Sequence, residues 1–209
     1  MNGLKLVCIA SFCIMTACAP AHSQSHGKQS QAVTIPLGYA HKTLSKTGAT
    51  SLTSLSSWEL SGAIAARNRK RGWTASLNWL QQGPNQFQIR LFGPLGGGTV
   101  IVEKKGSMVT FRDGPKQKSS KSADELLQKE TGVRLPVNDL YYWVRGLPAP
   151  GPIQSEHRDA NHYLISFKQA GYNINYTAYT SVNGIILPSK IHLDGHGVLI
   201  KLVIKHWKL

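Results

Sequence analysis

Trp73-Thr74-Ala75-Ser76-Leu77-Asn78-Trp79 alternates apolar and polar residues without a break. Successive Cβ atoms of an extended chain point to opposite faces, so this period of two marks a strand with one buried face and one wet face. The rhythm returns at once. Phe87, Ile89 and Leu91 alternate with Gln88 and Arg90, and Val100 to Glu103 and Met108 to Arg112 continue it. Turn signals stand between the runs at Arg69-Lys70-Arg71-Gly72, Gln82-Gly83-Pro84-Asn85, Lys104-Lys105-Gly106-Ser107 and Asp113-Gly114-Pro115. Upstream, the strand pattern begins at Trp58.

Downstream, the pattern breaks into a helical interlude. Ser122 with Glu125 three residues on is a capping box, and Asp124 and Glu125 suit the positive end of a helix dipole. Leu126, Leu127 and Glu130 carry this helix to Gly132, a natural stop. Pro136 precedes a second short helix over Asn138–Arg145, with Leu140, Trp143 and Val144 on one face. After Ala149-Pro150-Gly151-Pro152, strands resume. Tyr163, Ile165 and Phe167 form one run, and Tyr172, Ile174 and Tyr176 another. Asn183-Gly184 is a strong hairpin signal. Ile185–Leu193 and Val198–Trp207 form a last pair. These runs predict an antiparallel meander of about ten strands, with helices inserted after the fifth. A sheet of that length must curl, and the helices are placed to cover its concave side.

Outward from this body, the N-terminus has its own logic. Lys5 is followed by the apolar run Leu6–Met15, too short to span a bilayer permanently, and then by small residues and a cysteine. Met15-Thr16-Ala17-Cys18 resembles the bacterial lipobox, with Met15 where leucine is usual. The resemblance implies a signal peptide over 1–17, cleavage before Cys18, and acylation of that cysteine. Each buried methylene contributes roughly 0.8 kcal/mol, so three chains hold a protein on a membrane for practical purposes. Ala19 is not the aspartate associated with inner-membrane retention, which points to the outer membrane. The alternative is an ordinary signal peptide with a chance cysteine. Residues 18–57 then read as a lipidated tether, flexible up to Thr34 and with a possible weak helix from Tyr39 to Ser57. Residues 58–209 form the folded body.

Composition excludes several chemistries. The three cysteines are Cys8, Cys13 and Cys18. Two leave with the signal and the third carries lipid, so the mature body has no disulfide and no thiol nucleophile. The formal net charge is +14, and loss of Lys5 leaves +13. Such a balance favours an anionic membrane face or an acidic partner, since an exported protein rarely meets nucleic acid. Arg67, Arg69, Lys70 and Arg71 concentrate this charge at one hairpin tip, which is either a solvated turn or a contact surface. Gly93-Pro94-Leu95-Gly96-Gly97-Gly98 lacks the Gly-Lys-Ser/Thr of a phosphate loop and precedes a strand. Its Leu95 is either folded back on the body or displayed to something apolar. His192, Asp194 and His196 sit around a glycine-rich turn and read as solvated, so no metal site is expected. There is no Gly-x-Ser-x-Gly elbow and no His-Glu-x-x-His, and no enzymatic activity is expected. Trp73, Trp79, Trp143 and Trp207 are most simply core residues, and their number suggests an interior of unusual size and apolarity, as acyl chains need.

Several segments together resemble the LolB family of outer-membrane lipoproteins. They are Gly62-Ala63-Ile64-Ala65, Asn78-Trp79, Leu91 through Gly96, Thr131 through Leu140, Trp143-Val144-Arg145-Gly146-Leu147-Pro148, and Trp207. Trp143–Pro148 is the most specific. Gly93 departs from the pattern, where asparagine is commoner. The resemblance implies a mainly β fold, an unclosed antiparallel β-barrel with short helices as a lid over an apolar cavity. It implies a monomer without cofactor that accepts lipoproteins from a LolA-like periplasmic carrier and inserts them into the inner leaflet of the outer membrane. The implied partners are that carrier, the acyl chains and outer-membrane lipids, with no nucleic acid. Leu95 matches a protruding residue needed for insertion, which favours display. Trp79, Trp143 and Leu140 match the acyl-chain cavity and lid. The alternative function is an envelope lipid- or lipopolysaccharide-binding lipoprotein without handover.

Overall fold

The computed structural model describes residues 52–93 and 98–209, together with the backbone of 34–36. Cys18, Leu95, the expected signal peptide over 1–17 and most of the expected tether lie outside the described residues. The strands are β1 (Thr34–Pro36), β2 (Ser57–Arg67), β3 (Gly72–Gln82), β4 (Gln86–Phe92), β5 (Thr99–Lys105), β6 (Met108–Asp113) and β7 (Lys116–Ser120). Two helices follow, α1 (Ala123–Thr131) and α2 (Val137–Trp143). Then come β8 (Ile153–Arg158), β9 (Leu164–Gln169), β10 (Tyr172–Val182), β11 (Ile185–Gly195) and β12 (Val198–Lys208).

All strand pairs are antiparallel and form one sheet in the order β7-β6-β5-β4-β3-β2-β12-β11-β10-β9-β8. Two meanders meet where β2 pairs with β12, from Leu199 opposite Arg67 to Lys208 opposite Glu59. The β1 strand pairs with Ala178–Thr180 of β10, beyond the stretch of β10 that β9 occupies. No pairing joins β7 to β8 among the described residues, so the curled sheet is not closed into a barrel. The chain crosses from one open edge to the other through α1 and α2.

The alternation that suggested β3 is reproduced residue by residue. Trp73, Ala75, Leu77 and Trp79 are buried, and Thr74, Ser76 and Asn78 are exposed. Trp58, Leu60, Ile64 and Ala66 of β2 and Val198, Ile200, Leu202 and Ile204 of β12 extend the same buried face. Gly62 belongs to it too, but a Cβ there would lie 1.9 Å from the carbonyl oxygen of Val203. The close approach coincides with a β-bulge in β12 between Ile204 and His206, and such places take glycine because no side chain fits. The Asn183-Gly184 turn has positive φ at both residues, 50° and 79°, as a two-residue hairpin of the primed type requires.

The helix signals also act locally. Ser122 Oγ accepts the Glu125 amide at 3.3 Å, and Gly132, at φ 77°, closes α1 with its N–H on the Gln128 carbonyl. The α2 helix runs over Val137–Trp143, starting one residue earlier and ending two earlier than its sequence pattern. Residues 52–54 are helical and Ser57 already belongs to β2, so part of the expected first helix is instead the approach to the sheet. Among the described residues the strands number twelve rather than about ten, and the helices follow β7. The unexpected strands are β1, β7 and β8. Both β7 and β8 are edges and almost wholly exposed, so they bury no apolar face and show no alternation to read.

Candidate functional site

The concave face of the sheet and the two helices enclose one apolar core. Its centre is bordered by Ile64, Leu77, Trp79, Ile89, Leu91, Leu135, Val137, Leu140, Ile200 and Leu202. These come from β2, β3, β4, β12, α2 and the segment before α2. The space left between them is a cavity of about 20 Å³. That is room for roughly one water, in a lining with no polar group to hold it. Any apolar guest larger than a methyl group therefore requires this lining to open.

Two of the three side chains singled out in the sequence meet here. Trp79 reaches the cavity from β3 and Leu140 from α2. Trp143 lies elsewhere in the same core. It is fully buried against Phe167 and Tyr172, its Nε1–H donates to Gln169 Oε1 at 3.0 Å, and its carbonyl accepts the Tyr176 hydroxyl at 2.8 Å. Gln169 also bonds the Ala149 amide and carbonyl, so the chain leaving α2 is tied to β9 at both points.

The far end of the core is aromatic. Trp58 packs on Trp79, Trp207 and Tyr141, with ring centroids 5.1, 5.4 and 6.4 Å apart. Trp79 Nε1–H is satisfied by Gln81 Oε1 at 2.8 Å, whereas the Nε1–H groups of Trp58 and Trp73 and the Tyr172 hydroxyl are buried without a partner. Buried donors that find no acceptor cost stability, about 1–3 kcal/mol each, and a native fold retains few of them.

Sequence reasoning did not single out Arg145 for a role, although it lies within the most specific matching segment. Its guanidinium is buried with no carboxylate among its partners. It donates to the carbonyls of Tyr141 and Leu55 and stacks over the Tyr141 ring at 4.0 Å. Burial lowers its pKa, and the two tyrosine neighbours act against that, so it stays charged at neutral pH. Arg145 thereby ties the end of α2 to the segment entering β2. A second tie joins the helices to each other. Asp124 in the first turn of α1 accepts the Val137 amide at 3.1 Å, at the start of α2. Burial raises the Asp124 carboxyl above the usual range, opposed by that amide and by Arg134 at 3.8 Å.

Among the described residues, no three of His, Cys, Asp and Glu come close enough together to hold a metal ion. His192 pairs with Asn175 and Lys201 along β11, and the His196 ring lies against Tyr172 with Nε2 2.9 Å from the Ala170 carbonyl. What the interior offers is an apolar surface behind two helices that are pinned at a few points.

A family model described as Outer membrane lipoprotein LolB matches residues 56–207. The outer-membrane lipoprotein LolB of Coxiella burnetii is 34% identical over 158 residues, covering 75% of this chain and 74% of that protein. Its namesake in Nitrosococcus oceani is 38% identical over 161 residues, covering 76% and 79%. Among solved structures, a LolA superfamily protein of Nitrosomonas europaea is similar over 75% of this chain and 87% of its own, with a TM-score of 0.48 and 11% identity.

Proposed function

The chain belongs to the outer-membrane lipoprotein LolB family, and on that premise we propose that it receives lipoproteins from a soluble LolA-like carrier and delivers them to the inner leaflet of the outer membrane. The observation that carries this reading is the apolar space between Trp79 on the sheet and Leu140 on α2, shut by helices with few polar ties. Acyl chains cannot cross water unprotected, because each exposed methylene costs about 0.8 kcal/mol. An apolar interior offers equivalent surroundings, so transfer runs down a gradient of affinity and needs neither cofactor nor bond-making. Trp79, Leu140 and the rest of the lining take the chains as α1 and α2 swing away, while Trp143 anchors α2 to β9 and β10. The unpartnered Nε1–H group of Trp58, packed on Trp79, provides a donor for an ester or amide carbonyl of an acylated cysteine. Cys18 carries the lipid anchor, and Leu95 enters the bilayer at release.

The test uses the chain from Ala19 onward, which retains every described strand and helix. It is mixed with carrier loaded with a labelled lipoprotein, and the label is followed between the two proteins and then into liposomes. The label moves one for one to this protein and on to the bilayer. A Leu95→Glu variant accepts the label but fails to deliver it. A label that stays on the carrier while this protein binds free lipid refutes the handover and leaves a lipid-binding lipoprotein.

A further inference from the structure

The convex face of the sheet bears a feature the interior does not explain. Midway along β2 and β3 four of its outward residues are small: Ala63, Ala65, Thr74 and Ser76. On the flanking strands they are large. Phe92 of β4 is 39% exposed and Val203 of β12 is 36% exposed. The register sets Val203, Ala63, Ser76 and Phe92 in one row across four strands. The result is a shallow trough of about 540 Å³, walled by Phe92 and Val203 and floored by the small residues. A second hollow of about 380 Å³ adjoins it and shares Ala65, Thr74 and Lys201. It runs to Arg67 and Gly72, at the foot of the basic hairpin.

That hairpin is a built surface. The Asn68 side chain accepts the amides of Lys70 and Arg71, both at 2.8 Å, and donates to the Gly132 carbonyl at 2.7 Å. The tip is thereby locked to the end of α1. Arg67, Arg69, Lys70 and Lys201 are exposed, and none forms an ion pair with a carboxylate among the described residues. Four cations held at one end of an apolar trough with no carboxylate lining it form an amphipathic surface. An acidic protein would leave the trough idle. A bilayer uses both parts, with phosphates on the cations and the apolar strip at the level of the headgroups.

We propose that this end of the convex face is a docking surface for anionic phospholipid bilayers, formed by Arg67, Arg69, Lys70 and Lys201 with Phe92 and Val203. It holds the curled sheet against the membrane independently of the lipid anchor. The surface goes beyond the receptor role and does not require it, because its test contains neither carrier nor lipoprotein.

The chain from Ala19 onward is floated with vesicles of phosphatidylethanolamine and phosphatidylglycerol, and separately with vesicles of phosphatidylcholine alone. Binding is expected to the first and not the second, and to fall in 0.5 M salt. The double variant Arg69→Ser, Lys70→Ser weakens it about tenfold or more, from the loss of two charges near an anionic surface. Val203→Asp, on an exposed position that leaves the core intact, weakens it by a similar factor. Vesicle binding unchanged in both variants overturns the proposal.

Discussion

Arg145 is 2% exposed and finds its partners in two backbone carbonyls and two tyrosine rings. A buried charge is costly unless every donor is used, and a carbonyl stripped of its donor is costly in turn. Replacing Arg145 with methionine keeps the apolar stem and removes the fork. The Leu55 and Tyr141 carbonyls lose a donor, and we expect a loss of about 2 kcal/mol in chemical denaturation. Lysine cannot span both carbonyls with one ammonium, so Arg145→Lys recovers little of it. A stability within 0.5 kcal/mol of wild type for Arg145→Met contradicts this account. The neighbouring Trp143 illustrates how far type and spacing carry. Its burial was legible from the face it shares with Leu140, but its partner Gln169 lies 26 residues away on β9, and no local pattern announces that bond.

At the level of elements, the joint between α1 and α2 carries titratable groups. It rests on the Asp124–Val137 bond, the Arg134 ion pair and a pair of raised carboxyls, since burial also lifts Asp139. A carboxyl raised in the folded state binds its proton more tightly there than in the unfolded chain. Stability from this source is therefore complete below the unfolded value, about 3.9, and is lost as pH climbs through the raised value. Asp124→Asn retains an acceptor for the Val137 amide and removes one titrating group. Thermal unfolding between pH 3.5 and 7 is expected to show a smaller fall with rising pH in this variant than in wild type. An unchanged slope would place the effect elsewhere. Elements also show where reading fails. The β7 and β8 strands contain Lys116-Gln117-Lys118-Ser119-Ser120 and Ile153-Gln154-Ser155-Glu156-His157-Arg158, which hydrogen-bond as strands but bury nothing. Backbone pairing with β6 and β9 makes them strands, and hydrophobic periodicity has no access to it.

Across the whole molecule, the interior is closed in the form described, with about 20 Å³ free. Admission of an acyl chain then has to open either the helices or the sheet. The sheet is continuous from β7 to β8, and its central strands are hydrogen-bonded on both sides. Beyond apolar packing, the polar ties of the helices include those at Asn68, Asp124, Arg145, Gln169 and Tyr176 and the ion pairs of Lys116 with Glu130 and Arg134 with Asp124. Low-stability elements are the ones that open. On adding a diacylated peptide, amide exchange is expected to quicken in α1 and α2 and stay slow in β2, β3 and β12. Faster exchange in the central strands would mean that the sheet, not the lid, is the gate.

The sequence alone settled what depends on neighbours along the chain. Alternation from Trp73 to Trp79 gives a strand and names its buried side, because the pleat has a period of two whatever the strand pairs with. Ser122 and Gly132 bound α1 because capping is satisfied within four residues. Asn183-Gly184 gives a hairpin because both residues tolerate positive φ. The tertiary structure alone decided the rest. It brought β2 beside β12, joined Trp79 to Leu140 across the cavity and buried Arg145 against Leu55, 90 residues away. It also set small outward side chains beside large ones to make the convex trough. Alternation states that a face is covered, not by what. That choice follows from which distant surfaces bury the most apolar area together once the chain has closed on itself.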